Sequence, residues 1–564
     1  MKDVTHGMNG LTIGRPQYRL TKQLHRAETC SFFMRVESIV IVGGGSSGWM
    51  AAAMLSKTFP NMQIGLIEGE QGTIGVGEST LGHFNRFLRR MGLKDKDWMP
   101  FCNATYKTSI AFKNFRHGEG ERFQYPFGEF DLFDYKDTLQ RYFELGCKYG
   151  VDKYPPDKFA NFANSQTYLA DQCKITKDPI PECTYNFDVD TAYHFDAGLF
   201  GSYLRDHHCI PNGVLHLKGE IEKVVKNPDG SIDSLVTTQD GLIKADLYID
   251  CTGFNSLLLE QHMGSEFMSF KDKLFNDTAL ATQIPYSDRE NQMETYTDCV
   301  AMNAGWVWNI PLWNRVGTGY VYSSDYINEC DAEVEFRKYL SERYTPEIAQ
   351  ECQLRKIDIR HGKREKAWVK NVIGIGLSYA FLEPLESTGL MTTHENILLL
   401  CDTLQRRQGF YARFDQDSFN YTCDNMIESM KNFIAIHYAL SQRDDNKYWR
   451  DCTNIDFDIN PLWEQSTRAA HGNVVTMLDN LEDAFNKLEQ HSGSIYIAAG
   501  QGYRPFSEAM FEERMTADKY PDQWSEILEE IHTKYQQDSK TMMEWVDKLP
   551  SHYNYLRDNI YDLQ

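Results

Sequence analysis

Residues 36–68 open with Val36-Glu37-Ser38-Ile39-Val40-Ile41-Val42 and run directly into Gly43-Gly44-Gly45-Ser46-Ser47-Gly48. Trp49-Met50-Ala51-Ala52-Ala53-Met54-Leu55 follows, and the stretch closes on Gln63-Ile64-Gly65-Leu66-Ile67-Glu68. The first run is short and β-branched, as suits a strand buried on both faces of a parallel sheet. The alanine-rich run favours a helix, and the last run reads as a second strand ending in an acid. Together they predict a βαβ unit. The spacing Gly43-x-Gly45-x-x-Gly48 puts glycines where the turn is tight, where backbone must approach a pyrophosphate, and where helix packs on sheet. The helix N-terminus, with Ser46 and Ser47, then offers free N–H groups and positive dipole to phosphate. Glu68 stands twenty residues past Gly48, placed to accept from a ribose hydroxyl, which favours FAD or NAD over NADP.

A further apolar strand with a glycine turn, Ala245 to Gly253, is of the kind with which large FAD-binding folds return to the cofactor; an ordinary strand and turn is the alternative. The 564 residues hold one phosphate fingerprint: Gly374-Ile375-Gly376-Leu377-Ser378-Tyr379 lacks the third glycine, and Gly317 to Tyr322 reads as strand. An enzyme binding both FAD and NAD(P)H through two such domains would show two. The flavin is therefore expected to arrive already reduced.

The chain carries 58 Lys+Arg against 80 Asp+Glu, a formal net charge of −22. That balance argues against nucleic acid and anionic lipid as partners. No apolar run approaches the ~20 residues of a membrane helix. Thirteen cysteines without a CxxC pair point to reduced thiols in a cytoplasmic protein, with neither a zinc site nor a disulfide framework. The first 33 residues lack the apolar core of a secretory signal and read as an N-terminal extension. Beyond about residue 405, Met426, Met430, Phe433, Ile434 and His437 recur at helical spacing and read as a core-facing stripe; Phe511 to Tyr535 shows similar periodicity. The expected division is a discontinuous FAD-binding core over 34–405 and a mostly helical part over 406–564. The fold class is α/β, a Rossmann-like FAD domain of the glutathione-reductase-like type with β-sheet insertions.

Three more segments narrow the function: Trp306-Val307-Trp308-Asn309-Ile310-Pro311, Phe381 to Gly389 after a strand expected at Val372 to Leu377, and Trp98-Met99-Pro100 leading to Tyr106-Lys107-Thr108. Here the sequence resembles the flavin-dependent halogenases, most closely the tryptophan-halogenase-like branch, whose signature is the WxWxIP pattern. Ile74-Gly75-Val76-Gly77-Glu78-Ser79-Thr80, Tyr193 to Ala197, Ala367 to Asn371, His437-Tyr438 with Arg443-Asp444-Asp445, and Leu549 to Arg557 all look like family segments. The acidic, extended, Met-rich character is similar to the broad-specificity viral members.

The resemblance implies FAD used as FADH2, O2 and a halide ion, with a separate flavin reductase as partner. In the family a flavin C4a-hydroperoxide is attacked by halide, and hypohalous acid travels through an internal passage to a small aromatic substrate. Lys107 matches the lysine at the far end of that passage and Glu386 the catalytic carboxylate. Thr388 and Gly389 match the turn whose N–H groups hold halide, a turn that also reads as the capped start of a helix. Gly75, Val76, Gly77, Glu78, Gly376 and Leu377 join the fingerprint residues around the cofactor. Trp306 and Trp308 resemble the residues that keep substrate from the flavin, or else pack a strand core.

In the substrate pocket the match breaks down. Tyr125 stands where dedicated tryptophan halogenases carry histidine, Phe127 is kept, and Glu489 or a neighbour falls where a late tryptophan would be. Losing one aromatic face forfeits on the order of 1 kcal/mol of stacking. A wider site for indoles, phenols or anilines, with bromide or iodide preferred, is expected. A flavin-dependent aromatic hydroxylase and a non-catalytic FAD-fold binding protein are the alternatives, and a homo-oligomer is compatible with either class.

Overall fold

A computed structural model describes residues 33–70, 78–128, 130–131, 135–180, 183–455, 493–503 and 521–562. The opening stretch forms β1 (Ser38–Val42), α1 (Ser46–Thr58) and β2 (Gln63–Glu68). Ile39 to Val42 are all buried. Because alternate residues of a strand face opposite sides, this run needs cover on both, which is why it carries no polar alternation. β2 lies parallel to β1, with Ile41 opposite Leu66. Two more parallel strands extend this layer: β3 (Leu215–Lys218) beside β2 and β4 (Leu247–Asp250) beside β1. Thus the downstream strand does return to the fingerprint. The strand Val372–Gly374 adds outside β4, with the two-residue strand Trp368–Val369 antiparallel at the edge. The strand expected over Val372 to Leu377 ends at Gly374 because Gly376, at φ +69°, starts a 3-10 turn.

Helix α1 is buried from Gly48 to Ser56, apolar all round as an interior helix must be. Two glycines of the fingerprint are steric requirements. A Cβ on Gly43 would stand 2.3 Å from the Cys251 carbonyl oxygen, and one on Gly48 would stand 1.9 Å from that of Gly43.

A second, seven-stranded sheet is built on β5 (Thr278–Pro285), β6 (Tyr296–Ala301), β7 (Gly305–Pro311) and β8 (Arg315–Tyr322). The strand Ser109–Lys113 pairs parallel to β6, and Arg122–Pro126 lies beyond it. One face of this sheet presents Leu280, Val307 and Tyr320 to Phe336 and Leu340 of α2 (Glu329–Arg343). The other face, with Thr297, Trp308, Ile310 and Val321, closes a cavity of about 580 Å³ against the glycine turn of the first sheet.

Two long helices complete the frame, α3 (Thr388–Arg406), whose first turn lines the cavity, and α4 (Arg413–Ala439), which packs on α3. The stripe Met426, Met430, Phe433, Ile434 and His437 is buried on α4. Of the later helical pattern, residues 504–520 lie outside the described residues and the helix Pro521–Val546 covers the remainder. Among the described residues no helix is long and apolar enough to cross a membrane.

Replacing Gly48 with alanine should push α1 off β1, with a thermal midpoint loss equivalent to more than about 2 kcal/mol and loss of flavin retention. A G48A protein that melts and binds FAD as the parent does would show that the close approach is not required.

Candidate active site

The site is organised by a chain reversal before α3. Pro384–Glu386 forms a single 3-10 turn, Ser387 adopts a left-handed conformation at φ 58°, and α3 begins at Thr388. Ser387 and Gly389 line the cavity. The first N–H groups of α3 have no intrahelical partner, and Ser387 supplies no side-chain cap. A Cβ on Gly389 would meet nothing within 4 Å, so open space adjoins this helix end. Thr388 is buried, its Oγ1 donating to the Glu383 carbonyl at 3.3 Å. This is a geometry in which a small anion can be held by backbone dipoles.

Lys107 ends the strand Thr105–Lys107 and is fully buried. Its Nζ donates to the Thr80 carbonyl and to Ser387 Oγ, both at 2.9 Å, and stands 5.0 Å from the centroid of the Phe127 ring. Among the described residues it has no ion pair. Burial pulls its pKa down from 10.5 to about 7, against an opposing pull from Glu386. With two donors engaged, the amine keeps one further proton or lone pair for chemistry.

Glu386 is fully buried as well. Its Oε1 lies 2.7 Å from His437 Nε2, while Oε2 has no partner among the described residues. The other ring nitrogen, Nδ1, is 2.9 Å from the Phe433 carbonyl oxygen and can only donate there. Nε2 must then either hold a second proton facing a carboxylate or accept one from the carboxylic acid. In both states one proton is shared between Glu386 and His437. Reading the α4 stripe as core alone missed this role; its signal was a histidine among aliphatic residues.

Phe127 stands beside Lys107, and the Tyr125 ring lies 5.8 Å from that of Phe127, nearly perpendicular to it. Burial and the charge of Glu386 both raise the Tyr125 hydroxyl pKa, which keeps it neutral. Trp308 lines the cavity, and its Nε1 is buried without a partner among the described residues. Trp306 serves a structural contact instead. Its Nε1 donates to Glu383 Oε2 at 3.0 Å, and Asn276 Nδ2 donates to the same oxygen at 2.7 Å.

The remaining cofactor candidates sort by position. Gly43, Gly45, Ser46, Ser47, Glu78 and Leu377 line the cavity. Gly48 acts in packing, and Gly376 approaches Ser47, a Cβ there standing 2.5 Å from its Oγ. The Glu68 side chain covers Gly44 and its Oε2 is 2.6 Å from His216 Nε2. Burial raises the Glu78 pKa to about 7, opposed by a hydrogen bond from the Ala197 N–H. Gly75, Val76, Gly77 and Glu489 lie outside the described residues. The crowded turn, the uncapped helix ends and the cavity they line fit FAD.

The sequence model of the family described as "Tryptophan halogenase" matches residues 38–516. The chain belongs to the tryptophan halogenase family. The tryptophan 7-halogenase RebH of Lentzea aerocolonigenes is 30% identical over 550 residues, covering 93% of this chain and 98% of that protein. The 7-chloro-L-tryptophan 6-halogenase KtzR of Kutzneria sp. (strain 744) is 34% identical over 428 residues, 73% of this chain and 81% of its own. Among solved structures, the apo structure of VirX1 superposes with a TM-score of 0.83 at 47% identity, covering 93% of this chain and all of that one. As a member of this halogenase family the chain is an oxidoreductase with a Rossmann-like FAD-binding fold.

The buried amine carries a stability signature. The unfolded chain holds the Lys107 proton up to about pH 10.5, the folded protein only up to about 7. Between those values the unfolded state binds the extra proton, so stability rises with pH there and the cost of Lys107 is full below about 7. Lys107→Met should therefore raise the thermal midpoint at pH 6.5, with the gap over the parent shrinking toward pH 10; a pH-independent gap would contradict the depressed pKa.

Proposed function

We propose that the chain halogenates small electron-rich arenes, indoles, phenols and anilines among them, using reduced FAD, O2 and halide. The observation that carries this reading is the buried set in which Lys107, Ser387, Glu386 and His437 touch in sequence, next to a cavity that fits the flavin. When bound, reduced FAD with O2 supplies the oxidising power that turns halide into hypohalous acid.

The chain's own residues do the rest. N–H groups of Thr388 and Gly389 hold the halide at the cavity end of α3. Trp308 closes that wall to the arene. Lys107 takes up the electrophile by hydrogen bond or as a haloamine and presents it to one ring carbon. Glu386 Oε2 faces the cationic ring that forms, stabilises it, and accepts its proton. His437 fixes the carboxyl by the shared proton. The arene exchanges a proton for the halogen, and water is the other product. With no second nucleotide fingerprint, a separate reductase delivers the flavin.

Tyr125 in place of histidine supports a substrate range wider than free tryptophan. Bromide and iodide, more easily oxidised than chloride, are the preferred halides in this reading.

Mass spectrometry of products from an indole or a phenol with FADH2, O2 and bromide or iodide should show hydrogen replaced by halogen. Oxygen added at the expense of halogen would establish hydroxylation instead. In the same assay Glu386→Gln should slow halogenation at least about a hundredfold while flavin binding persists. An unchanged rate would remove Glu386 from the chemistry.

A further inference from the structure

Cys299 sits near the middle of β6, fully buried, and takes no part in the proposed halogenation. Its strand partners show which way it faces: it is paired with Trp308 of β7 and, in parallel register, with Phe112. Residues opposite one another in a sheet share a face. Trp308 lines the cavity, as does Thr297, two residues before Cys299 on that same face. The Phe112 ring is 4.9 Å from that of His437. Cys299 Sγ itself lies 3.9 Å from the carbonyl oxygen of Leu385, the residue before Glu386. The thiol therefore stands in the wall between the flavin cavity and the end of the site that holds Lys107 and Glu386.

Two buried polar atoms have no partner among the described residues, the donor Nε1 of Trp308 on the cavity side and the acceptor Oε2 of Glu386 at the far end. Such atoms are costly unless something small and polar meets them. A small neutral molecule with an acceptor and a donor, as hypohalous acid has, can meet either atom.

We infer that Cys299 is the internal residue on which hypohalous acid is consumed when no arene occupies the site, and that its oxidation ends the life of the enzyme. The inference rests on the halogenase reading, which supplies the oxidant. Sulfur attacks the halogen of HOX; an S–X bond forms, the O–X bond breaks, and the departing hydroxide takes the thiol proton as water. Water then displaces halide from sulfur, leaving a sulfenic acid, halide and a proton. The sulfur gives up two electrons and the halogen gains them, and further equivalents lead to the irreversible sulfinic and sulfonic acids.

Burial keeps this thiol protonated, as do the fields of Asp298 and Glu386. A protonated thiol is a poor nucleophile, so it competes weakly while an arene is bound. Cys330, in contrast, is exposed. Oxidant that escaped to solvent would reach Cys330 first.

The test is peptide mass mapping of the full chain after turnover with a flavin reductase, O2 and bromide but no arene. Oxygen atoms should appear on Cys299 while Cys330 still alkylates; omitting bromide should abolish the modification and adding a phenol should suppress it. Hypobromite added from outside should reverse the order of the two cysteines. Cys299→Ala should complete about twofold or more turnovers before inactivation, and where that variant fails to fold, the map of the parent protein decides alone. Cys330 oxidised first during turnover, or Cys299 intact in an inactivated enzyme that does brominate the phenol, would overturn the inference. Failure to brominate any arene would overturn the halogenase reading, and this inference with it.

Discussion

Everything in the site hangs on the left-handed turn at Ser387. A serine at φ 58° costs on the order of 1–3 kcal/mol relative to ordinary backbone, and the fold tolerates it because one reversal does three things. It starts α3 with uncapped N–H groups on the cavity. It sets the preceding carboxylate, Glu386, against His437 of α4. It also presents Ser387 Oγ to the one buried lysine of the site, 2.9 Å away. A helical or extended residue at 387 would separate these groups.

The electrostatics follow from dryness more than from charge count. The chain as a whole carries −22, yet the proposed halide position depends on backbone dipoles, which solvent cannot screen there. Removing water drives Lys107 down and Glu78 up to the same neighbourhood, about 7. Groups poised near the working pH are able to give and take protons. Between cavity and lysine the hydroxyls are tied down, Thr297 Oγ1 to Ser79 and His194 and Ser387 Oγ to Lys107, while Trp308 Nε1 has no partner among the described residues.

Much of the frame was legible in the sequence because it is written in local pattern. The β-branched run, the glycine spacing and the closing Glu68 fall within 33 residues, and each demands its neighbour. Lys107, Glu386, Thr388 and Gly389 became visible only through the family resemblance, since a lone lysine or a Glu-Ser-Thr-Gly turn has common structural uses. What stayed hidden is what depends on contacts across long sequence separation. Trp306 reads equally as a barrier residue or as strand core; Glu383, 77 positions away, holds its indole N–H, and of the pair Trp308 lines the cavity. His437 reads as one more core position because helical spacing cannot show which of its neighbours is a carboxylate. The left-handed state of Ser387 has no signal at all in a residue type that ordinarily caps helices from extended backbone.

In the proposed mechanism, oxidising the halide and placing the halogen are separate labours, the first at the flavin cavity and the second at Lys107. The separation is tested most directly by measuring both in single turnovers of a Lys107→Met enzyme loaded with reduced FAD and bromide, trapping free oxidised halogen separately from haloarene. Oxidised bromine should still form at close to the parent yield while haloarene falls to background. Haloarene formed at the parent rate, or loss of bromide oxidation together with haloarene in a variant that still binds FAD, would contradict it.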